Sequence, residues 1–74
     1  MRTPRTRFRP VESKQVGESI RHLYKINGVE VSVIMNPFSY GSKDGLWEAL
    51  HEDGKIRGWL TDEDVDAFLT EVAA

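Results

Sequence analysis

Ile20-Arg-His-Leu-Tyr-Lys-Ile26, then Asn27-Gly28, then Val29-Glu-Val-Ser-Val-Ile-Met35: this stretch decides the fold. Two alternating runs flank an Asn-Gly pair. Asn and Gly both tolerate the positive φ of a type I′ turn, whose twist matches that of a β-hairpin. A two-residue loop fixes the register. Ile26 faces Val29, Lys25 faces Glu30, Tyr24 faces Val31 and His22 faces Val33. Alternation then sorts the side chains. Ile20, His22, Tyr24, Ile26, Val29, Val31, Val33 and Met35 share one face. Arg21, Leu23, Lys25, Glu30, Ser32 and Ile34 share the other. The Lys25–Glu30 pair sets opposite charges across the ladder. A helix through Val16, Ile20, Leu23 and Tyr24 competes, but Gly17 and the Asn-Gly turn rank it second.

Working outward towards the C-terminal side, Asp53-Gly54 marks a second hairpin. It joins Leu46-Trp-Glu-Ala-Leu-His51 to Lys55-Ile-Arg-Gly-Trp59. A two-residue loop sets Glu52 against Lys55 and Leu50 against Arg57. Trp47, Ala49, Ile56 and Leu60 then share one face, and Leu46, Glu48, Leu50, Arg57 and Trp59 the other. Beyond it, Thr61 is a good helix N-cap. Leu60 and Val65 are placed for a hydrophobic staple. Asp62, Glu63 and Asp64 put negative charge at the positive end of the helix dipole. Val65, Phe68, Leu69 and Val72 recur as one apolar stripe. The expected fold class is α+β: a small antiparallel sheet of about four strands in two hairpins, with one C-terminal helix packed on one face.

Working outward the other way, residues 1–15 show no periodicity, and Pro4 and Pro10 interrupt any ladder. This is expected to be a disordered, flexible basic arm, and residues 16–74 a single domain. From Met1 to Lys25 there are seven Lys or Arg against Glu12 and Glu18, and from Ile26 onward three against ten Asp or Glu. Opposite signs in the two halves point the arm at an anionic partner or at the chain's own acidic half. With 74 residues and no cysteine, the core must be built from ordinary apolar side chains, without disulfides or thiolate-held metals. No apolar run approaches a membrane helix, and no apolar segment follows the charged start as a secretory signal requires. The expected setting is cytoplasmic.

Motifs for chemistry are weak. Asp62-Glu-Asp-Val-Asp66 opens like an EF-hand loop, but Ala67 and Ala73 stand where Gly and Glu are needed. His22 reads as a structural histidine on a strand and His51 as a turn residue. Neither has a second histidine at ligand spacing, so no metal is expected. Ser39 or Ser42 with a histidine and Asp44 makes a triad only on paper, since no nucleophile elbow surrounds them. Gly41-Ser-Lys-Asp-Gly45 lacks P-loop spacing. In Asn36–Gly45, Phe38 and Tyr40 either cap the sheet or form a contact loop. No cofactor is expected.

Two constellations remain. One helix cannot cover both sheet faces, which leaves Leu23, Ile34, Leu46, Leu50, Arg57 and Trp59 as an apolar set rimmed by charge, the pattern of an association surface. Arg2, Arg5, Arg7 and Arg9 suit phosphate, with Phe8 able to stack on a base. The run Asn36-Pro-Phe-Ser-Tyr-Gly-Ser-Lys-Asp-Gly-Leu-Trp-Glu-Ala49, with Gly58-Trp-Leu-Thr-Asp-Glu-Asp-Val65, resembles stretches of short uncharacterised bacterial and prophage-encoded proteins. That resemblance implies a bacterial or phage setting and carries over no functional residue. The leading expectation is a non-enzymatic protein-interaction or regulatory module, with self-association as a homodimer among its options. The alternative is a nucleic-acid-associated accessory protein that uses the arm, and an enzyme ranks third.

Overall fold

The computed structural model describes residues 1–36 and 45–74. Five strands, β1 (Glu12–Val16), β2 (Ser19–Ile26), β3 (Val29–Met35), β4 (Trp47–His51) and β5 (Ile56–Leu60), form an antiparallel meander in that order. Helix α1 (Asp62–Ala73) packs on one face. Only four strands were expected from the sequence. The fifth is β1, cut from the segment read as a flexible arm.

The β2–β3 register is the one the Asn-Gly loop dictates: Ile26 opposite Val29, Lys25 opposite Glu30, Tyr24 opposite Val31, His22 opposite Val33. Asn27 and Gly28 both adopt positive φ, 52° and 81°, as a type I′ turn requires. The Asn27 amide also donates to the Ala73 carbonyl, which ties this hairpin to the end of α1.

The β4–β5 hairpin departs from expectation by one residue. Of its loop residues only Gly54 takes positive φ. Asp53 instead accepts the Lys55 N–H through its carboxylate at 2.9 Å, while the Gly54 N–H closes onto the His51 carbonyl. His51 and Lys55 therefore pair across a three-residue loop, a common alternative to the two-residue turn. That Lys55 N–H is also the main reason the Asp53 carboxyl is held below the usual carboxylate range. One extra loop residue flips the start of β5 to the other face. Ile56 pairs with Leu50, and Arg57 with Ala49. Arg57, expected among the leftover apolar set, instead lies on the helix side, 4.8 Å over the Phe68 ring and 3.4 Å from Glu71. A bulge then corrects the slip. Gly58 and Trp59 together face Glu48, so Leu60 returns opposite Trp47.

On the helix side, Ile20, Tyr24, Ile26, Val31, Val33, Met35, Trp47 and Ala49 meet Val65, Phe68 and Leu69. Thr61 caps α1 with a reciprocal box: its hydroxyl accepts from Asp64 N–H and the Asp64 carboxylate accepts from Thr61 N–H. The Trp47 indole N–H donates to Asp62 at 2.8 Å, which fixes the helix start to the sheet.

Residues 1–11, expected to be disordered, lie against this same side. Pro4 is buried and Phe8 packs on the core. The chain is held by Arg5–Glu63 at 2.6 Å, Thr6 to Asp66, and Val11 N–H to the Leu23 carbonyl. His22, fully buried, donates from Nε2 to the Arg2 carbonyl at 2.8 Å and accepts the Ser13 hydroxyl proton at Nδ1 at 2.7 Å. Ordering entropy is offset here by partners far away in sequence.

Tyr24 is also sealed in this layer. Burial, reinforced by the charge of Asp62, pushes its phenol up from 10 to about 12. The folded state thus keeps a proton that the unfolded chain releases. The stability linked to Tyr24 is fully present below pH 10 and is lost as pH rises towards 12. Urea midpoints between pH 9 and about 11.5 should fall for the native sequence. They should fall less for Tyr24→Phe, and equal slopes would exclude Tyr24 as the cause.

Candidate functional site

The face turned away from α1 and the N-terminal segment is the candidate. Strand register arranges it in cross-strand rows. One row reads Lys14, Arg21, Ile34 and Glu48 across β1 to β4, and ends at the Trp59 bulge on β5. The next reads Glu12, Leu23, Ser32, Leu50 and Ile56. Leu50, Ile56 and Trp59 are 40, 57 and 59% exposed, large values for such side chains. Leu23 and Ile34 are half-buried by their neighbours, as is Leu46 just before β4. Val16 stands exposed at the β1 end, beside a cleft of about 120 Å³ that Lys14, Arg21 and Ile34 also line.

Trp59 is held at φ 63°. Left-handed backbone is rare for a bulky side chain and costs about 1–2 kcal/mol. The bulge therefore carries an unfavourable backbone conformation at an exposed tryptophan.

Leu23, Ile34, Leu50 and Trp59 thus fall on the face assigned from alternation, and Arg57 does not. Ile56 and Val16 were missed. Ile56 was hidden by the loop length at Glu52–Gly54. Val16 was hidden because Gly17-Glu18 was not read as a turn, although a Gly-X pair between short runs is a two-residue hairpin signal. Gly17 has φ 59° there, the conformation a II′ turn needs at its first central position.

The arginines of the N-terminal segment do not form one strip. Arg2 lies 5.5 Å from the Trp47 ring, with a guanidinium nitrogen 3.8 Å from the Met35 sulfur. Arg5 pairs with Glu63, whose carboxyl sits below its usual range because of its own backbone N–H and then Arg5. Arg7 lies over Phe8, and Arg9 is exposed.

On the helix side, His51, Asp53, Lys55, Arg57, Phe68 and Glu71 line a cleft of about 280 Å³. Within it His51 lies 3.2 Å from Asp53, and Arg57 contacts Glu71. Among the described residues no three His, Asp or Glu side chains converge as a metal site, and no helix is long and apolar enough to cross a membrane. Phe38 and Tyr40, and the Ser39, Ser42 and Asp44 combinations, lie outside the described residues. Comparison of the chain with protein-family models, curated proteins and solved structures found no match.

Proposed function

We propose that the protein is a small non-enzymatic interaction module that binds a protein partner through the outer face of its sheet. The observation that carries this reading is Trp59: an exposed tryptophan kept in a left-handed conformation that glycine would adopt freely. Backbone strain concentrates where function needs a particular side chain. Tryptophan is also the residue most often dominant at protein interfaces. Leu23, Ile34 and Leu50 extend the apolar patch around it, and Arg21, Lys25, Glu30 and Glu48 supply a polar rim.

The reading makes stability and binding respond with opposite signs. Trp59→Gly should hold the urea midpoint or raise stability by up to about 1 kcal/mol, because relief of the strained φ outweighs the added freedom of the unfolded chain. The same variant should lose association. Binding is followed with a photoreactive side chain at position 50, and with one at Glu18 as control. Discrete cross-linked products in cells from position 50 alone, abolished by Trp59→Gly, are expected. A destabilisation above about 2 kcal/mol, or no product from position 50, would sink the reading.

The alternative, a nucleic-acid accessory role through the four arginines, is less favoured, since Arg2 lies over Trp47, Arg5 pairs with Glu63 and Arg7 lies over Phe8. Arginines engaged separately in this way do not present the continuous cationic strip that a strongly salt-dependent phosphate contact needs.

A further inference from the structure

Resting on that reading, we infer that the partner of the outer face is a second copy of this chain, related by a two-fold axis parallel to the strands and passing over β3. The argument comes from the order of residues in the two rows. A two-fold axis in that direction lays β2 of one copy over β4 of the other, β1 over β5, and β3 over itself. In the first row it sets Arg21 against the partner's Glu48, and Ile34 against its own copy. Lys14 meets the partner's Trp59, where an ammonium over an indole is attractive. In the second row it sets Leu23 against the partner's Leu50, and Ser32 against its own copy, where two hydroxyls can bond each other. On the strands beside β3, charge meets opposite charge and apolar meets apolar, because the register places Arg21 and Glu48, and Leu23 and Leu50, symmetrically about it; at the outer strands of the second row Glu12 meets the partner's Ile56, a mismatch confined to the edge of the face.

The charges beside the axis follow the same order. On this face β2 carries Arg21 and Lys25, with Lys14 and Glu12 on β1, while β4 carries Glu48 in the row of Arg21. An isologous contact requires a surface complementary to itself, and Arg21 and Glu48, one strand to either side of β3 in the same row, meet that condition. A dissimilar partner would place no such demand on both sides of β3. Glu30 meets its own copy only at the rim of the sheet, where water screens the repulsion.

The dimensions set the strength. Five strands about 4.8 Å apart and roughly 17–25 Å long give a face of about 400–500 Å² per copy. Two such faces lie near the lower limit of about 1,000 Å² for a specific interface. An interface at that limit fits a weak dimer that dissociates on dilution.

Sedimentation velocity of the full chain, from about 1 to 500 µM, tests it. The expected result is a shift towards twice the 8.5 kDa protomer mass as concentration rises. Arg21→Glu and Glu48→Arg should each weaken association about tenfold or more. The double variant, which exchanges the two charges across the axis, should recover most of that loss, with circular dichroism confirming that all three fold. A protein that stays monomeric at the highest concentration, a dimer indifferent to both reversals, or a double variant no better than the singles would overturn the inference. The photoreactive side chain at position 50 separates the two levels. Products with a different polypeptide from a monomeric protein overturn the dimer and leave the interaction reading standing. No product of any kind overturns both.

Discussion

Trp47→Ala should cost about 3–5 kcal/mol, enough to leave much of the protein unfolded at 25 °C. Trp47 is fully buried and is among the largest side chains in the core. Its ring packs at a tilt against His22, 5.7 Å between centroids, and lies beneath the Arg2 guanidinium. Its N–H holds Asp62 at the start of α1. Truncation therefore opens a cavity at the junction of sheet, helix and N-terminal segment, and also removes the indole hydrogen bond that ties the helix start to β4. A domain this small sits near the lower end of the usual 5–15 kcal/mol range. Trp47→Phe retains most of the packing and should lose only about 1–2 kcal/mol, for the missing hydrogen bond and a small void. Urea midpoints followed by circular dichroism order the three proteins. A loss below about 1 kcal/mol for Trp47→Ala would mean that the helix does not depend on this contact.

His22→Phe should cost about 2–4 kcal/mol and release the N-terminal segment. The ring volume is largely kept, so packing changes little. What disappears is the pair of bonds from one buried imidazole to the Arg2 carbonyl and the Ser13 hydroxyl. Both partners are left without their bond in a partly buried layer. Trypsin reports the consequence directly, since Arg5 and Arg7 lie in that segment with no proline after them. Cleavage there should be much faster in the variant while cleavage at Lys25 and Lys55 still tracks global unfolding. Unchanged cleavage at both arginines would show that His22 is not the anchor.

What the sequence made legible was what local rules govern. The Asn27-Gly28 loop admits one register, and that register carries eight residues of β2 and seven of β3 into place. Thr61 and the apolar stripe announce α1 in the same way. The β4–β5 loop was ambiguous, because Asp-Gly serves both two- and three-residue turns. The choice rests on the Asp53 carboxylate and Lys55 N–H, and it moved Ile56 and Arg57 to opposite faces. β1 was invisible for another reason. Glu-Ser-Lys-Gln-Val lies at the edge, exposed throughout, so burial imposes no alternation on it. The anchoring of residues 1–10 was hidden because its partners, Glu63 and Asp66, lie 58 and 60 residues away. Of the surface, alternation reached Leu23, Ile34, Leu50 and Trp59. The strain at Trp59 belongs to the bulge and has no local signature.

The docking of residues 1–10 on α1 has a consequence for the order of assembly. Each meander hairpin closes a short loop, so β1 to β5 can zip up as neighbouring residues become available. The contacts of Arg5 and Thr6 with Glu63 and Asp66 instead close loops of roughly sixty residues, with the larger closure entropy that entails. On the ribosome they must wait until α1 has left the exit tunnel. Until then residues 1–10 would remain exposed to proteases and to passing anions. Its settling would be the last event of folding, and the one that reports that the helix is in place.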